Sequence, residues 1–414
     1  METMIRRIFT CLLLLCSSAC LFAQDKETDF TSVVSGIITD NNGKPLSHVN
    51  VMADSTNISV VTNDDGFFTL KTPEQPAFIV ISHIGYKSRR IPVISGKTAN
   101  MRIRLQSNSI VLNDVVVKSG DPKKIFYEAL DKIPENYSTK PDLFTTFYRE
   151  TVQKRQRYIY IAEAVASLYK TSYRMLPRSD KVAIDKGRRL LSPSHRDTLG
   201  VKIMGGPTSA IYLDFVKNTD LILNAEDLTH YDFIMEDPVF IAERPHYVIR
   251  LDPRYVAPYA LYYGTFYIDW ETLAFTRAEL SLDMRDKEKA TNMILVSKPA
   301  GVKFRPREMT ILVNFKYDGV FSRISYVKNV FRFNCDWKKR LFATSFTAVS
   351  ELVVTDRKEE NIIPIKGRNS FYQRDSFFDK VEFFEDPDFW ADYNIIEPTE
   401  SLEDAIDKLR KKKR

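Results

Sequence analysis

The side chains able to do chemistry are few in this chain, and they are scattered. Among 414 residues there are five histidines, His48, His83, His195, His230 and His246, and none stands in an HExxH or HxxE arrangement. A hydrolytic zinc centre needs closely spaced His and carboxylate ligands that leave one coordination position open. His195-Arg-Asp197 and His230-Tyr-Asp232 come nearest to a ligand pair, and both read as ordinary surface or loop histidines. No Gly-x-Ser-x-Gly elbow presents a nucleophilic serine. Gly96-Lys-Thr98 copies the end of a phosphate-binding loop without its earlier glycine, and reads as a turn. Asn63-Asp-Asp65 opens like a calcium loop, but no glutamate closes it, so turn capping is the better account. Asp269 with Glu271, and Asp283 with Asp286, are carboxylate pairs of the kind a glycosidase uses for acid/base work. In a chain with 28% charged residues such neighbours also arise by chance, which is the reading favoured here. Cys335 alternates with apolar neighbours in Val330-Phe-Arg-Phe-Asn-Cys335 and reads as a small buried hydrophobe.

One concentration of chemistry remains. Tyr255, Tyr259, Tyr262, Tyr263, Phe266, Tyr267 and Trp270 fall within sixteen residues. On a strand, alternate members point to opposite faces, so a single layer does not bury them all equally. Core packing with tyrosines at a sheet rim is the plainer reading. The functional one is a ligand platform of Tyr259, Tyr263, Tyr267 and Trp270, for a glycan or as an apolar groove for lipid or peptide. Gly205-Gly-Pro207, ahead of a predicted helix, is either a flap over such a groove or a connecting loop.

Elements must position these residues. Residues 1–23 read as a signal peptide, with Arg6 and Arg7 before an apolar run and small residues approaching Ala23. Cleavage before Cys20, giving a lipoprotein, is the alternative. The apolar run is too short to span a bilayer, and no later run predicts a transmembrane helix. Three of the four cysteines leave with the signal, so no internal disulfide is expected despite an oxidising compartment. After a polar linker at 24–31 the pattern turns to strands from residue 32. Val34, Gly36 and Ile38 alternate with Ser35, Ile37 and Thr39, Asp40-Asn-Asn-Gly43 and Asn63-Asp-Asp-Gly66 mark turns, and about seven short strands run to residue 117.

The pattern Gly36, Asp40, Gly43, Pro45, Leu46, Val49, Val51, Thr62, Gly66, Phe68, Gly85 and Tyr86 resembles the carboxypeptidase regulatory-like domain common at the N-termini of Bacteroidetes envelope proteins. That resemblance implies a transthyretin-like (Ig-like) β-sandwich over 32–117 and an envelope address, and it brings no catalytic residue. Ile110-Val-Leu-Asn-Asp-Val-Val-Val117 resembles the segment that leads from this domain to the plug of TonB-dependent transporters.

From 118 to 414 the reading is a large antiparallel α+β domain. A helix is predicted over 121–133, capped by Asp121 and stopped by Pro134. Long strands follow at 143–153, 158–170, 247–251, 263–270, 275–283, 309–317, 320–334 and 341–355, with Asp318-Gly319 as a hairpin turn. Helices are expected near 208–217 and 402–409. Strands succeeding one another without crossover helices argue for one antiparallel sheet with helices against one face. The segments Phe147-Tyr-Arg-Glu150, Tyr158-Ile-Tyr-Ile-Ala-Glu-Ala164 and Gly264 to Phe275 resemble an uncharacterised Bacteroidetes envelope family. Ile268 to Arg277 resembles the sheet edge of LolA-type lipoprotein carriers.

The net charge is +6, of which the signal carries +1. Six basic residues crowd the last seven, from Lys408 to Arg414. They suit a helix C-terminus or contact with an anionic membrane surface, and export removes nucleic acid as a partner. The expectation is therefore an exported protein without enzymatic activity or cofactor. It lies in the periplasm or on the periplasmic face of the outer membrane, where it binds an envelope protein, lipid or glycan, with a hydrolase of envelope polymers as the alternative. Association with an outer-membrane assembly is a special case of the first reading.

Overall fold

The computed structural model describes residues 32–108, 120–175, 179–194, 202–203, 205–338, 342–360, 362–372, 375, 377–383, 389–391 and 393–411. The signal, the linker, the segment 110–117 with its strand at 115–117, His195-Arg-Asp197 and the last three basic residues lie outside the described residues.

Seven strands open the chain: β1 (Ser32–Thr39), β2 (Asn50–Ala53), β3 (Ser59–Val61), β4 (Phe67–Thr72), β5 (Phe78–Ser82), β6 (Arg89–Pro92) and β7 (Met101–Arg104). They form two sheets, ordered β4-β1-β7 and β3-β2-β5-β6, around a core that includes Val34, Ile38, Val51, Phe68, Leu70, Ile79 and Ile103. Alternation along β1 is what the sequence predicts, with Val34, Gly36 and Ile38 buried and Val33 and Ile37 exposed. Gly36 is needed at its position, because a Cβ there would lie 2.3 Å from the Met101 carbonyl of the parallel neighbour β7. The Asp40 carboxylate accepts the Asn42 and Lys44 amides across the first turn. Asn63 does the same for Asp65 and Phe67, as turn capping requires.

The rest is built on one large sheet. Its strands are β8 (Asp142–Lys154), β9 (Arg157–Lys170), β10 (Lys181–Leu191), β12 (Tyr231–Ile241), β13 (Arg244–Pro253), β14 (Tyr262–Asp269), β15 (Phe275–Leu282), β17 (Val302–Tyr317), β18 (Ser322–Trp337), β19 (Thr344–Lys358) and β20 (Glu382–Phe383). A separate short pair joins β11 (Lys202–Ile203) to β16 (Leu295–Ser297). The eleven strands run in the order β12-β13-β14-β15-β17-β18-β19-β8-β9-β10-β20. All neighbours are antiparallel except the edge pair β10 and β20, which is parallel. The protein is therefore mostly β. Helices are α1 (Pro122–Asp131), α2 (Ile133–Asn136), α3 (Pro207–Tyr212), α4 (Thr219–Ile222), α5 (Ala225–Leu228), α6 (Lys287–Ile294), α7 (Phe377–Lys380) and α8 (Glu400–Lys411).

Asp121 caps α1 by accepting the Lys123 amide, and Ile125, Phe126 and Ala129 turn inward. Phe126, Phe215, Phe266 and Phe275 then meet edge to face, with ring centroids 5.1–6.0 Å apart. Pro134 does not stop the helical path. It occupies the first turn of α2, where a missing N–H costs nothing. Several short strands escape the sequence reading, among them β20, and so do two long ones, β10 and β12. β12 is an edge strand of graded burial with Pro238 inside its register shift, and β10 shows no regular apolar alternation.

Helices α1, α3 and α6 pack against one face, and the opposite face is covered over β8, β9, β18 and β19. Val61 from β3 joins Phe147, Val165, Tyr326 and Val353 of the large sheet, together with Trp390, Ile395 and Ile396 from the C-terminal segment, in a second core. Beyond it, Leu402, Ile406 and Leu409 of α8 pack on Ile161 and Leu190.

Candidate functional site

On the face covered by the sandwich, five charged residues lie directly opposite one another across five adjacent strands: Lys328 (β18), Glu351 (β19), Arg149 (β8), Glu163 (β9) and Arg188 (β10). Their signs alternate. Arg149 Nε donates to Glu163 Oε1 at 2.6 Å and Arg188 Nε to Oε2 at 2.5 Å. Lys328 Nζ lies 3.3 Å from Glu351, which also accepts the Tyr326 hydroxyl at 2.7 Å. Burial pushes the Glu163 carboxyl up, but Arg149 and then Arg188 outweigh it and hold the group at about 2. Glu351 is likewise driven well below the usual range, burial being overcome chiefly by Lys328.

The ladder reaches out to both covering elements. Trp390 Nε1 donates to Glu163 at 3.2 Å, and Arg149 Nη2 to the Ile396 carbonyl at 2.7 Å. From the sandwich, His48 Nε2 sits 3.0 Å from Lys328 Nζ, and Asp64 is 3.6 Å from the same ammonium. Lys71 Nζ donates to the carbonyls of Trp390, Ala391 and Tyr393. These groups are saturated by each other. Their hydrogen bonds and ion pairs tie sandwich, C-terminal segment and sheet together.

A second buried network does the same near α3. Lys170 and Lys217 share Asp180, at 3.1 and 2.5 Å, and Lys170 also meets Asp214 at 2.7 Å. Glu150 differs in having no cation bound to it among the described residues. It accepts the Tyr148 hydroxyl at 2.9 Å, the Tyr160 hydroxyl at 2.5 Å and the Gly206 amide at 3.2 Å. Burial raises its pKa against the pull of these donors. Gly205-Gly206-Pro207 is thus anchored to the sheet rather than standing free of it. Gly206 is at φ +83°, where glycine is favoured, with Phe371 against its α-carbon.

The carboxylate pairs read from the sequence have structural work. Asp269 takes a two-pronged bond from Arg244, at 2.6 and 2.8 Å, and caps the turn through the Glu271 and Thr272 amides. Glu271 lies 3.0 Å from the same guanidinium. Asp283 pairs with Arg285, and Asp286 caps α6. His230 stacks on Tyr255 with centroids 4.6 Å apart, and His246 is buried with Nδ1 on the Arg244 carbonyl. Cys335 is buried, and burial pushes its thiol up to about 11. No group of three or more His, Cys, Asp or Glu side chains among the described residues is arranged to hold a metal.

The four platform residues do not share one surface. Tyr263 and Tyr267 project from β14 on the side opposite the buried Tyr262 and Phe266. Tyr267 meets Glu279 and Arg277 there. Trp270 tilts against Tyr247 in the helix-side core, with centroids 5.3 Å apart. Tyr259 lies in the loop before β14, is 44% exposed, and donates to Asp227 at 2.6 Å. It lines a recess of about 160 Å³ at the rim of the sheet with Asp220, Asn224, Asp227, Tyr231 and Met293. Tyr255 and Val256, 44% and 75% exposed, stand in the same loop. The acidic members come from α4 and α5, short helices that the sequence pattern did not announce.

Comparisons with known proteins cover the two parts unequally. Residues 34–117 match the CarboxypepD_reg-like domain. Over 84 residues the chain is 36% identical to the TonB-dependent receptor SusC of Bacteroides thetaiotaomicron, which is 20% of this chain and 8% of that one. Over 86 residues it is 31% identical to the TonB-dependent receptor P39 of Formosa agariphila, again 8% of the relative. The chain thus spans less than a tenth of the length of these curated relatives. Among solved structures, an outer membrane lipoprotein-sorting protein domain of Vibrio parahaemolyticus aligns over 57% of this chain and 93% of its own, at 10% identity and a TM-score of 0.26. A LolA superfamily protein of Nitrosomonas europaea aligns over 57% and 94%, at 13% identity and a TM-score of 0.18. The N-terminal turns, the two-sheet core and the matched residues agree, and residues 34–117 are a CarboxypepD_reg-like domain.

Proposed function

We propose that this is an exported, non-enzymatic binding or scaffold protein of the cell envelope, with a sandwich over 32–117, a large-sheet unit over 118–414, and a glycan as the ligand of the rim recess. The observation that carries the reading is where open chemistry remains. One face of the large sheet is covered by Phe-rich packing, and on the other the strands β8, β9, β18 and β19 are covered by the sandwich and C-terminal segment, which argues against a lipid-sized groove there. Lipid and peptide readings need such a groove. The recess instead offers the exposed ring of Tyr259 beside the carboxylates Asp220 and Asp227 and the Asn224 amide. An aromatic face packs against sugar C–H groups, and carboxylates accept sugar hydroxyls.

The envelope address draws on the charged and apolar pattern of residues 1–23 and on the receptors that carry the same N-terminal domain. The hydrolase alternative loses support because the carboxylates it would use are engaged by Arg244, Arg285 and helix or turn amides. A glycan array probed with the full chain and with Tyr259→Ala tests the reading. Binding by the first and its loss in the second is the expected result. Release of new reducing ends from a bound glycan would instead favour the hydrolase.

A further inference from the structure

The sandwich carries a second recess, distant in chemistry from the first. Strands β6 and β7 are the edge strands of its two sheets and meet along one seam. The seam is tied by the Lys87 amide on the Gln106 carbonyl at 2.9 Å and by Arg89 Nη1 on the Arg104 carbonyl at 2.9 Å. Here an open depression of about 570 Å³ is lined by Asn41, Lys87, Ser88, Arg89, Arg104 and Gln106. Three of the six are cations and none is an acid. Lys87, Arg89 and Arg104 are exposed and carry no ion pair among the described residues. Their setting contrasts with that of the buried cations Arg149, Lys170 and Lys328, each of which faces a carboxylate.

We infer that this seam is a binding site for a ligand bearing two or more phosphate groups. Charged side chains on edge strands also discourage strand pairing, and that role needs no recess. Several features here go beyond it. The Arg89 guanidinium is held in place by a neutral carbonyl, so its position is fixed while its charge stays unmatched. Asn41 and Gln106 add amide donors beside the three cations. The Ser88 hydroxyl is buried in the seam without a hydrogen-bond partner. Glu243 accepts the Ser88 amide at 2.5 Å and pins the segment to the β12–β13 hairpin. Guanidinium groups bind phosphate through paired N–H donors, and an ammonium supplies a point charge beside them.

The test titrates the full chain at low ionic strength with sodium pyrophosphate. In parallel it floats the chain with phosphatidylcholine vesicles made with and without cardiolipin, whose headgroup bears two phosphates. Saturable binding to pyrophosphate supports a soluble polyphosphate ligand, and binding confined to cardiolipin vesicles supports a lipid headgroup; both rest on the same site chemistry. The Arg89→Gln/Arg104→Gln variant should weaken either by at least about tenfold, and added salt should weaken the wild type. Lys97→Gln/Lys123→Gln, which removes the same charge from exposed positions elsewhere, should leave binding unchanged, as should Tyr259→Ala. Failure of the wild type to bind either probe overturns the inference. So does an equal loss in both double variants, which would report only general charge.

Discussion

Glu163→Gln is the sharpest perturbation of the charge ladder. The carboxylate is fully buried, takes Arg149 and Arg188 at 2.6 and 2.5 Å, and accepts the Trp390 indole at 3.2 Å. The amide keeps the shape but supplies one acceptor oxygen and turns an N–H toward a guanidinium, leaving two desolvated cations with no counter-ion between them. Breaking a buried pair in this way costs about 3–5 kcal/mol. The pH dependence gives a second figure. A carboxyl held at about 2 in the fold against an ordinary 4.5 contributes about 3 kcal/mol. Because the folded value is the lower one, this stabilisation is complete above pH 4.5 and is lost as the pH falls through 2. Guanidinium unfolding followed by tryptophan fluorescence reads both, since Trp390 reports from the ladder itself. The variant should lose about 3 kcal/mol at pH 7 and show a shallower decline between pH 4.5 and 2. A loss below about 1 kcal/mol, or an unchanged acid decline, would refute the reasoning.

Asp180→Asn removes the carboxylate that Lys170 and Lys217 share and leaves both buried ammonium groups near Asp214 alone; calorimetry should show a loss of about 3 kcal/mol. Gly264→Ala places a Cβ 2.0 Å from the Glu279 carbonyl at φ +145°, so the β14–β15 pairing must shift; thermal melting should drop by the equivalent of about 3 kcal/mol.

Much of the fold was legible because it follows from local chemistry. The alternation of β1, the Asp121 cap of α1 and the Asp318 turn, whose carboxylate takes the Val320 and Phe321 amides, are each written in a few adjacent residues. The strands β10 and β12 were not: neither shows a regular apolar alternation, and Pro238 interrupts β12, which lies at the sheet edge. The charge ladder was invisible for a different reason. Arg149, Glu163, Arg188, Lys328 and Glu351 each look like the solvent side of a strand, and only the register that aligns five strands, covered by Trp390 and His48, reveals them as interior. Tyr259 could be picked from its aromatic neighbourhood, whereas Tyr263, Tyr267 and Trp270 part from it because strand alternation and the following turn send them elsewhere. Its partners Asp227 and Met293 come from separate helices that only tertiary folding brings to the rim.

Saturation-transfer NMR on the full chain with a panel of neutral oligosaccharides tests the rim recess most directly. Transfer to ring protons of at least one sugar, abolished in a folded Tyr259→Ala variant and retained in Arg89→Gln/Arg104→Gln, is the predicted result. No transfer to any sugar, or transfer undiminished by Tyr259→Ala, would contradict it.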